Sequence, residues 1–261
     1  MKHLINFIEY DSLNESRGSD LAVKTVVRDI VYLLKSGHFG KATLPFDSTS
    51  KVKYQVIEPP KDLTQKEIEQ LYKDAKEDPD DEMEIKRTIK YKFDNFPVKF
   101  SVGLIVLPNY KIREPRIDGD VGSEFTLEQG ERVVHHDIKI TIILNPRREL
   151  EQFLYKVISD LNITVAHEME HLLQDYYDEE FQGDSNAKGL AYYTLPVEVP
   201  AQVAGFKRIY DLKKKYFPNM TFDYVVRDWF ERRRYRTKLD LFEEEQVINN
   251  IVSEYKRKYR G

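Results

Sequence analysis

Hydrophobic residues recur along this chain with two different periods, and the two are separated in sequence. Up to Pro146 the strongest apolar segments alternate with polar residues, and from Glu149 onward the spacing is helical to the end. Side chains alternate between the faces of a strand, whereas on a helix they return to one face after three or four residues. Strand patterns first and helix patterns after them point to an α+β fold. The expected architecture is a small, mostly antiparallel sheet packed on one long helix, followed by a helical C-terminal part.

Three runs carry the strand signal. In "EIKRTIKYKF", Ile85, Ile89, Tyr91 and Phe93 mostly alternate with Lys86, Thr88, Lys90 and Lys92, as in a half-buried strand. "VKFSVGLIVLP" is apolar on both faces, with Phe100, Val102, Leu104 and Val106 on one and Ile105 and Leu107 on the other, so it should be central. "VVHHDIKITIILNP" puts Ile138, Ile140, Ile142 and Leu144 on one side. The intervening "NYKIREPRIDGDVGSEFTLEQGER" is rich in Gly and charge, and reads as a long loop of the functional or mobile kind. Ahead of the strands, "LAVKTVVRDIVYLLKSG" has helical spacing and a stop at Gly37. "PPKDLTQKEIEQLYKDAKEDPDDE" reads as a polar surface helix opened by a Thr64/Glu67 capping box.

Composition removes several classes. The 261 residues are 41% hydrophobic, enough for a real core, and no run approaches the roughly 18 apolar residues of a membrane span. With 41 basic against 45 acidic residues the net charge is −4, so a nucleic acid or membrane partner would need a local patch. No cysteine is present, which leaves only His, Asp and Glu as strong metal ligands. A reducing, cytoplasmic setting is compatible with that.

The chemistry concentrates in "TVAHEMEHLLQD". Leu154, Val157, Ile158, Leu161, Val165, Met169, Leu172 and Tyr176 form an apolar stripe, so the segment should be a buried amphipathic helix. His167 and His171 lie off its centre, in line with Asp160, Thr164 and Asp175, as on a cleft wall. Residues four apart on a helix sit about 6 Å apart along the axis, so both imidazoles can reach one divalent ion. Glu168, about 100° round from His167, stands beside such an ion, where it can take a proton from an activated water. With six histidines in the chain, His-Glu-x-x-His should arise by accident in about one such sequence in a hundred.

A catalytic zinc usually has three protein ligands and one open position. The extended motif, with Gly three and His six residues after the second histidine, is absent: Gln174 and Tyr177 stand there. "YYTLPVEVPAQVAGFKR" offers Glu198, followed by small residues, Ala201, Ala204 and Gly205, that would let a helix approach its neighbour closely. Pro196 and Pro200 are tolerable near a helix start, where N–H groups lack partners. Asp175, Asp178, Glu179, Glu180 and Asp184 are the other acids in reach.

His167-Glu168-x-x-His171 followed by Glu198-x-x-Ala201 resembles the gluzincin type of zinc metallopeptidase. It is particularly similar to small phage-encoded proteins with this motif pair and to the ImmA/IrrE metallopeptidase domain, over residues 133 to 210. The resemblance implies one Zn2+ held by His167, His171 and Glu198, with Glu168 as general base. It also implies a strand ahead of the helix that lines the cleft. "HHDIKITIILNP" would be that strand, binding an extended peptide or protein substrate by β-augmentation. The proline-flanked "LPVEVPAQ" departs from the family pattern. An oxyanion donor is also wanted, for which Tyr192, Tyr193, His135 and Arg208 are the choices. Asp175 is placed to orient a ligand histidine, and His136, on the apolar face of its strand, reads as a core residue.

Three segments fill out the reading: residues 1–20 as a leader-like stretch, 21–215 as the metallopeptidase-like domain, and 216–261 as a helical extension packed on it. "MKHLINFIEYDSLNES" resembles the leader of internal head proteins of large tailed bacteriophages, trimmed after Leu-x-Glu, here Leu13-Asn14-Glu15. That implies a phage origin and association with the head. "KRIYDLKKKYF", "RDWFERRRYRTK" and "EYKRKYR" mix basic and aromatic residues, yet acids are interleaved, so solvated helix faces are expected over a nucleic-acid surface. Two rivals to the peptidase remain: a zinc-containing phage structural or binding protein without turnover, and a nucleic-acid-binding protein using these helices.

Overall fold

The computed structural model describes residues 18–36, 53–57, 85–93, 96, 98–109, 111–128, 131–145, 150–176 and 187–259. The leader-like stretch up to residue 17 and the polar helix expected over 59–82 lie outside them. The chain divides into two compact units, one running to Leu161 and the other starting at Asn162. The division falls inside a helix, between Leu161 and Asn162.

The first unit opens with helix α1 (Gly18–Ser36) and continues into strands β1 (Lys53–Ile57), β2 (Ile85–Lys92), β3 (Phe100–Pro108), β4 (Arg116–Glu128) and β5 (Glu131–Leu144). They form one five-stranded sheet in the order β1-β2-β3-β5-β4. All neighbours are antiparallel except β3 and β5, which run parallel with Phe100 opposite His136 and Val106 opposite Ile142. The α+β class and the mostly antiparallel sheet are those read from the sequence.

The alternation explains the register. Ile138, Ile140 and Ile142 are fully buried on one face of β5, with Lys139 exposed between them. β3 buries Leu104, Ile105 and Val106 in succession, as a strand paired on both sides and covered on both faces does. Tyr91, Phe93, Phe96 and Phe100 form a ring cluster with centroid separations from 5.5 to 6.5 Å.

The long loop expected between β3 and β5 is instead mostly strand. Arg116–Glu128 pairs along its whole length with β5, from Arg116 opposite Ile143 to Glu128 opposite Glu131. Ile117, Val121, Phe125 and Leu127 alternate with polar residues there, but Gly119, Gly122 and the acids dilute the signal. Strand propensity is contextual, and a neighbour as apolar as β5 overrides a weak local preference.

A 3-10 turn (Leu150–Phe153) leads into α2 (Leu154–Tyr176), whose first turns bury Leu154, Val157, Ile158 and Leu161 in the first unit. The second unit takes the rest of α2 and adds α3 (Leu190–Tyr193), α4 (Glu198–Lys214), α5 (Phe222–Thr237) and α6 (Leu241–Tyr259). α4, α5 and α6 pack on one another, and α3 contacts α4 and α6. Phe206, Phe230 and Ile251 are buried among them, and Phe222 stacks on Tyr255 at 3.8 Å. The starts of α5 and α6 are capped: Thr221 accepts from the Tyr224 N–H, and Asp240 and Glu243 exchange side-chain-to-backbone bonds of 2.8 and 2.9 Å. Among the described residues no helix is long and apolar enough to cross a membrane.

Candidate metal centre

Within the second unit, α2 buries Val165, Met169 and Leu172 and carries His167 and His171 at the border of that stripe. One turn apart, the two rings stand nearly perpendicular with centroids 4.7 Å apart, and their Nε2 atoms face each other at 3.0 Å. Helix geometry alone brings about this pairing.

The third group comes from α4, whose first residue is Glu198. Pro200 falls in the first turn, where a missing N–H costs nothing. A carboxylate is also favoured there by the helix dipole. Close helix packing sets the approach: a Cβ on Gly205 would lie 2.8 Å from the Ile163 carbonyl oxygen of α2, so only glycine fits. Further along, Arg208 Nε donates to Asn162 Oδ1 at 3.1 Å and ties the same two helices. Glu198 then reaches His167 Nε2 with Oε2 at 3.3 Å and His171 Nε2 with Oε1 at 3.4 Å.

These three side chains each offer one ligand atom within 4.8 Å of the others, so they could hold a metal ion. Two further observations fit that use. Glu198 Oε2 is buried without a well-formed hydrogen bond, although an imidazole nitrogen lies near it. A buried carboxylate oxygen left so is costly unless something else occupies its lone pair. The donor set of two imidazoles and one carboxylate is also that of open zinc sites. Charge is focused here as well. Burial would raise the Glu198 carboxyl, but hydrogen bonds and charge from His167 and His171 outweigh it and hold the group at about 2. Burial opposes charge on His171, yet Glu198, Gln174 and Glu168 together push its pKa above the ordinary value.

Glu168 is buried, and its charge is felt by both His171 and Tyr192. Burial first, and then the charge of Glu198, push the Tyr192 phenol far up, so it stays a protonated donor. Tyr193 packs its ring on Phe230, while its backbone oxygen accepts from Gln202. Arg208 lies ten residues along α4 from Glu198, about 15 Å in a helix, and is committed to Asn162. His135 is exposed on β5, in the first unit. His136 is the core residue expected, buried with Nδ1 3.0 Å from Ser123 Oγ. The alternative acids Asp178, Glu179, Glu180 and Asp184 lie outside the described residues.

One finding corrects the reading from sequence, and a second adds a residue to it. The strand nominated for β-augmentation, β5, is paired on both sides from His136 to Ile143, by β3 and by β4, and so presents no free edge there. The partner of His171 Nδ1 is Gln174 Oε1 at 2.9 Å, one residue before the Asp175 nominated to orient a ligand. Gln174 entered the sequence argument only as the residue standing where the extended motif has glycine. Its spacing of three from His171 was the available signal.

The basic C-terminal helices are largely self-neutralised. Arg227 pairs with Glu245 and Asp223, Arg232 with Asp228, Arg234 with Glu244, and Arg257 with Glu254, while Arg233 lies over the Trp229 ring at 4.7 Å. Comparison of the chain with family models, curated proteins and solved structures gave no match.

Proposed function

We propose that this protein is a zinc-dependent metallopeptidase in which His167, His171 and Glu198 are the ligands and Glu168 is the general base. The convergence of those three ligand atoms within 4.8 Å carries the reading. A bound zinc ion would polarise a scissile carbonyl and lower the pKa of a water to about 7. Glu168, buried one residue after a ligand, takes a proton from the attacking water and delivers it to the leaving amine. The Tyr192 phenol is the favoured oxyanion donor of the four, because it stays protonated and lies against Glu198. Substrates are peptides or proteins.

Metal analysis of the purified chain, combined with cleavage of a broad peptide library, tests this. Stoichiometric zinc with turnover supports the peptidase. Zinc without turnover would favour the rival, a zinc-containing phage structural or binding protein. For nucleic acid, the ion pairing of Arg227, Arg232 and Arg234 argues against a free basic face.

A further inference from the structure

Gln174 is a buried amide that touches both halves of the metal cluster. Its Nε2 donates to the Val197 carbonyl at 3.1 Å, and its Oε1 lies 2.9 Å from His171 Nδ1. The first contact fixes the second. A carbonyl oxygen only accepts, so the amide nitrogen must face Val197 and the amide oxygen must face the ring. An amide oxygen also only accepts, so the hydrogen on the ring must sit at Nδ1. In the neutral imidazole that leaves Nε2 as a bare lone pair, directed at Glu198 and His167.

Val197 is equally telling. It is the residue immediately before Glu198 and the N-terminal flank of α4. One amide therefore selects the His171 tautomer on α2 and anchors the backbone from which Glu198 projects. We infer that Gln174 is a positioning residue for metal binding, holding a histidine ligand and the carboxylate ligand in register through a single buried side chain. The inference rests on the proposed metal site and adds to it a residue outside the ligand set. Outer partners of metal ligands act on affinity by fixing ring orientation and tautomer. A neutral amide does so without adding a further charge beside Glu168 and Glu198.

The test is zinc affinity of the full chain, measured by competition with a chromophoric chelator, alongside the visible absorption spectrum of the cobalt(II)-loaded protein. Gln174→Met keeps length and volume but offers no strong acceptor or donor. It should weaken zinc binding by about 10- to 100-fold and alter the cobalt spectrum. Gln174→Glu retains an acceptor for the Nδ1 hydrogen but cannot donate to the Val197 carbonyl, so it should bind zinc more tightly than Gln174→Met and more weakly than the parent. If the Met variant does not fold, as judged by circular dichroism, Gln174→Asn, one methylene too short to reach both partners, replaces it with the same expected loss. A Met variant that binds zinc with unchanged affinity and spectrum overturns the inference, even if it melts earlier. So does a Glu variant as weak as the Met variant. A parent chain that binds no zinc instead removes the metal site itself, a different failure.

Discussion

Asp29 in the first unit and Glu198 in the second are both buried carboxylates, and the two are treated in opposite ways. Asp29, fully buried on α1, receives a hydrogen bond from Tyr91 at Oδ2 (3.2 Å) and from Arg28 at Oδ1 (3.0 Å). Arg28 can only donate and the Tyr91 hydroxyl can adapt to either protonation state, so both carboxyl oxygens have partners. Glu198 faces two imidazoles at 3.3 and 3.4 Å and keeps an oxygen without a well-formed hydrogen bond. An arginine does not surrender its proton, whereas a histidine can do so and become a ligand. Burial raises the Asp29 carboxyl in spite of Arg28, while the histidines override burial at Glu198. A buried acid is thus not itself a sign of function; the kind of partner decides.

The sharpest way to break this contrast is to remove chemistry while leaving the ligands. Glu168→Gln should lose hydrolysis by about 100-fold or more while retaining zinc. Unchanged peptide cleavage by that variant would reject Glu168 as base. Next come the ligands: Glu198→Ala and His171→Ala should lose zinc by more than the roughly 10- to 100-fold expected of an outer partner. Normal zinc content in Glu198→Ala would move the search to the acids between 175 and 184. Asp29→Ala is the matched control. It should leave zinc affinity intact while costing about 1–3 kcal/mol, because Tyr91 loses its buried acceptor.

A smaller effect separates packing from ligation. Gly205→Ala forces a methyl group toward the Ile163 carbonyl, so α4 must shift against α2. Overpacking of this kind costs about 1–3 kcal/mol, and the shift moves Glu198 with its helix. Chemical denaturation and zinc titration should therefore both register the substitution. A fully stable variant with parental affinity would mean that the close approach does not set the site.

The three residues that could hold a metal ion were legible in the sequence, the histidines from periodicity, and Glu198 as one of several acids until the family resemblance singled it out. Small residues at Ala201 and Gly205 only suggested that the helix starting near Glu198 could approach its neighbour closely. The rest depended on long-range pairing. β4 was unreadable as a strand because Gly119, Gly122, Asp118 and Asp120 weaken its pattern, and only the register with β5 reveals it. The same pairing removed the edge from β5, so an expectation about substrate binding failed along with the loop. Gln174 was missed because its partner, the Val197 oxygen, is a backbone atom that no side-chain pattern advertises.

The gentlest probe of the contrast is pH acting on Asp29→Asn. The Asp29 carboxyl has a folded-state pKa raised by burial above its ordinary value near 3.8. A raised acid binds its proton more readily when folded. Its contribution to stability is therefore full below the unfolded-state pKa and lost as pH rises through the folded value. The asparagine variant keeps an acceptor for Tyr91 but carries no titrating group. Its stability relative to the parent should thus increase from pH 4 to pH 7 in urea unfolding experiments. If the difference instead ran the other way, Arg28 would be outweighing burial, and Asp29 would be an ion-pair acid like those on the surface of α5.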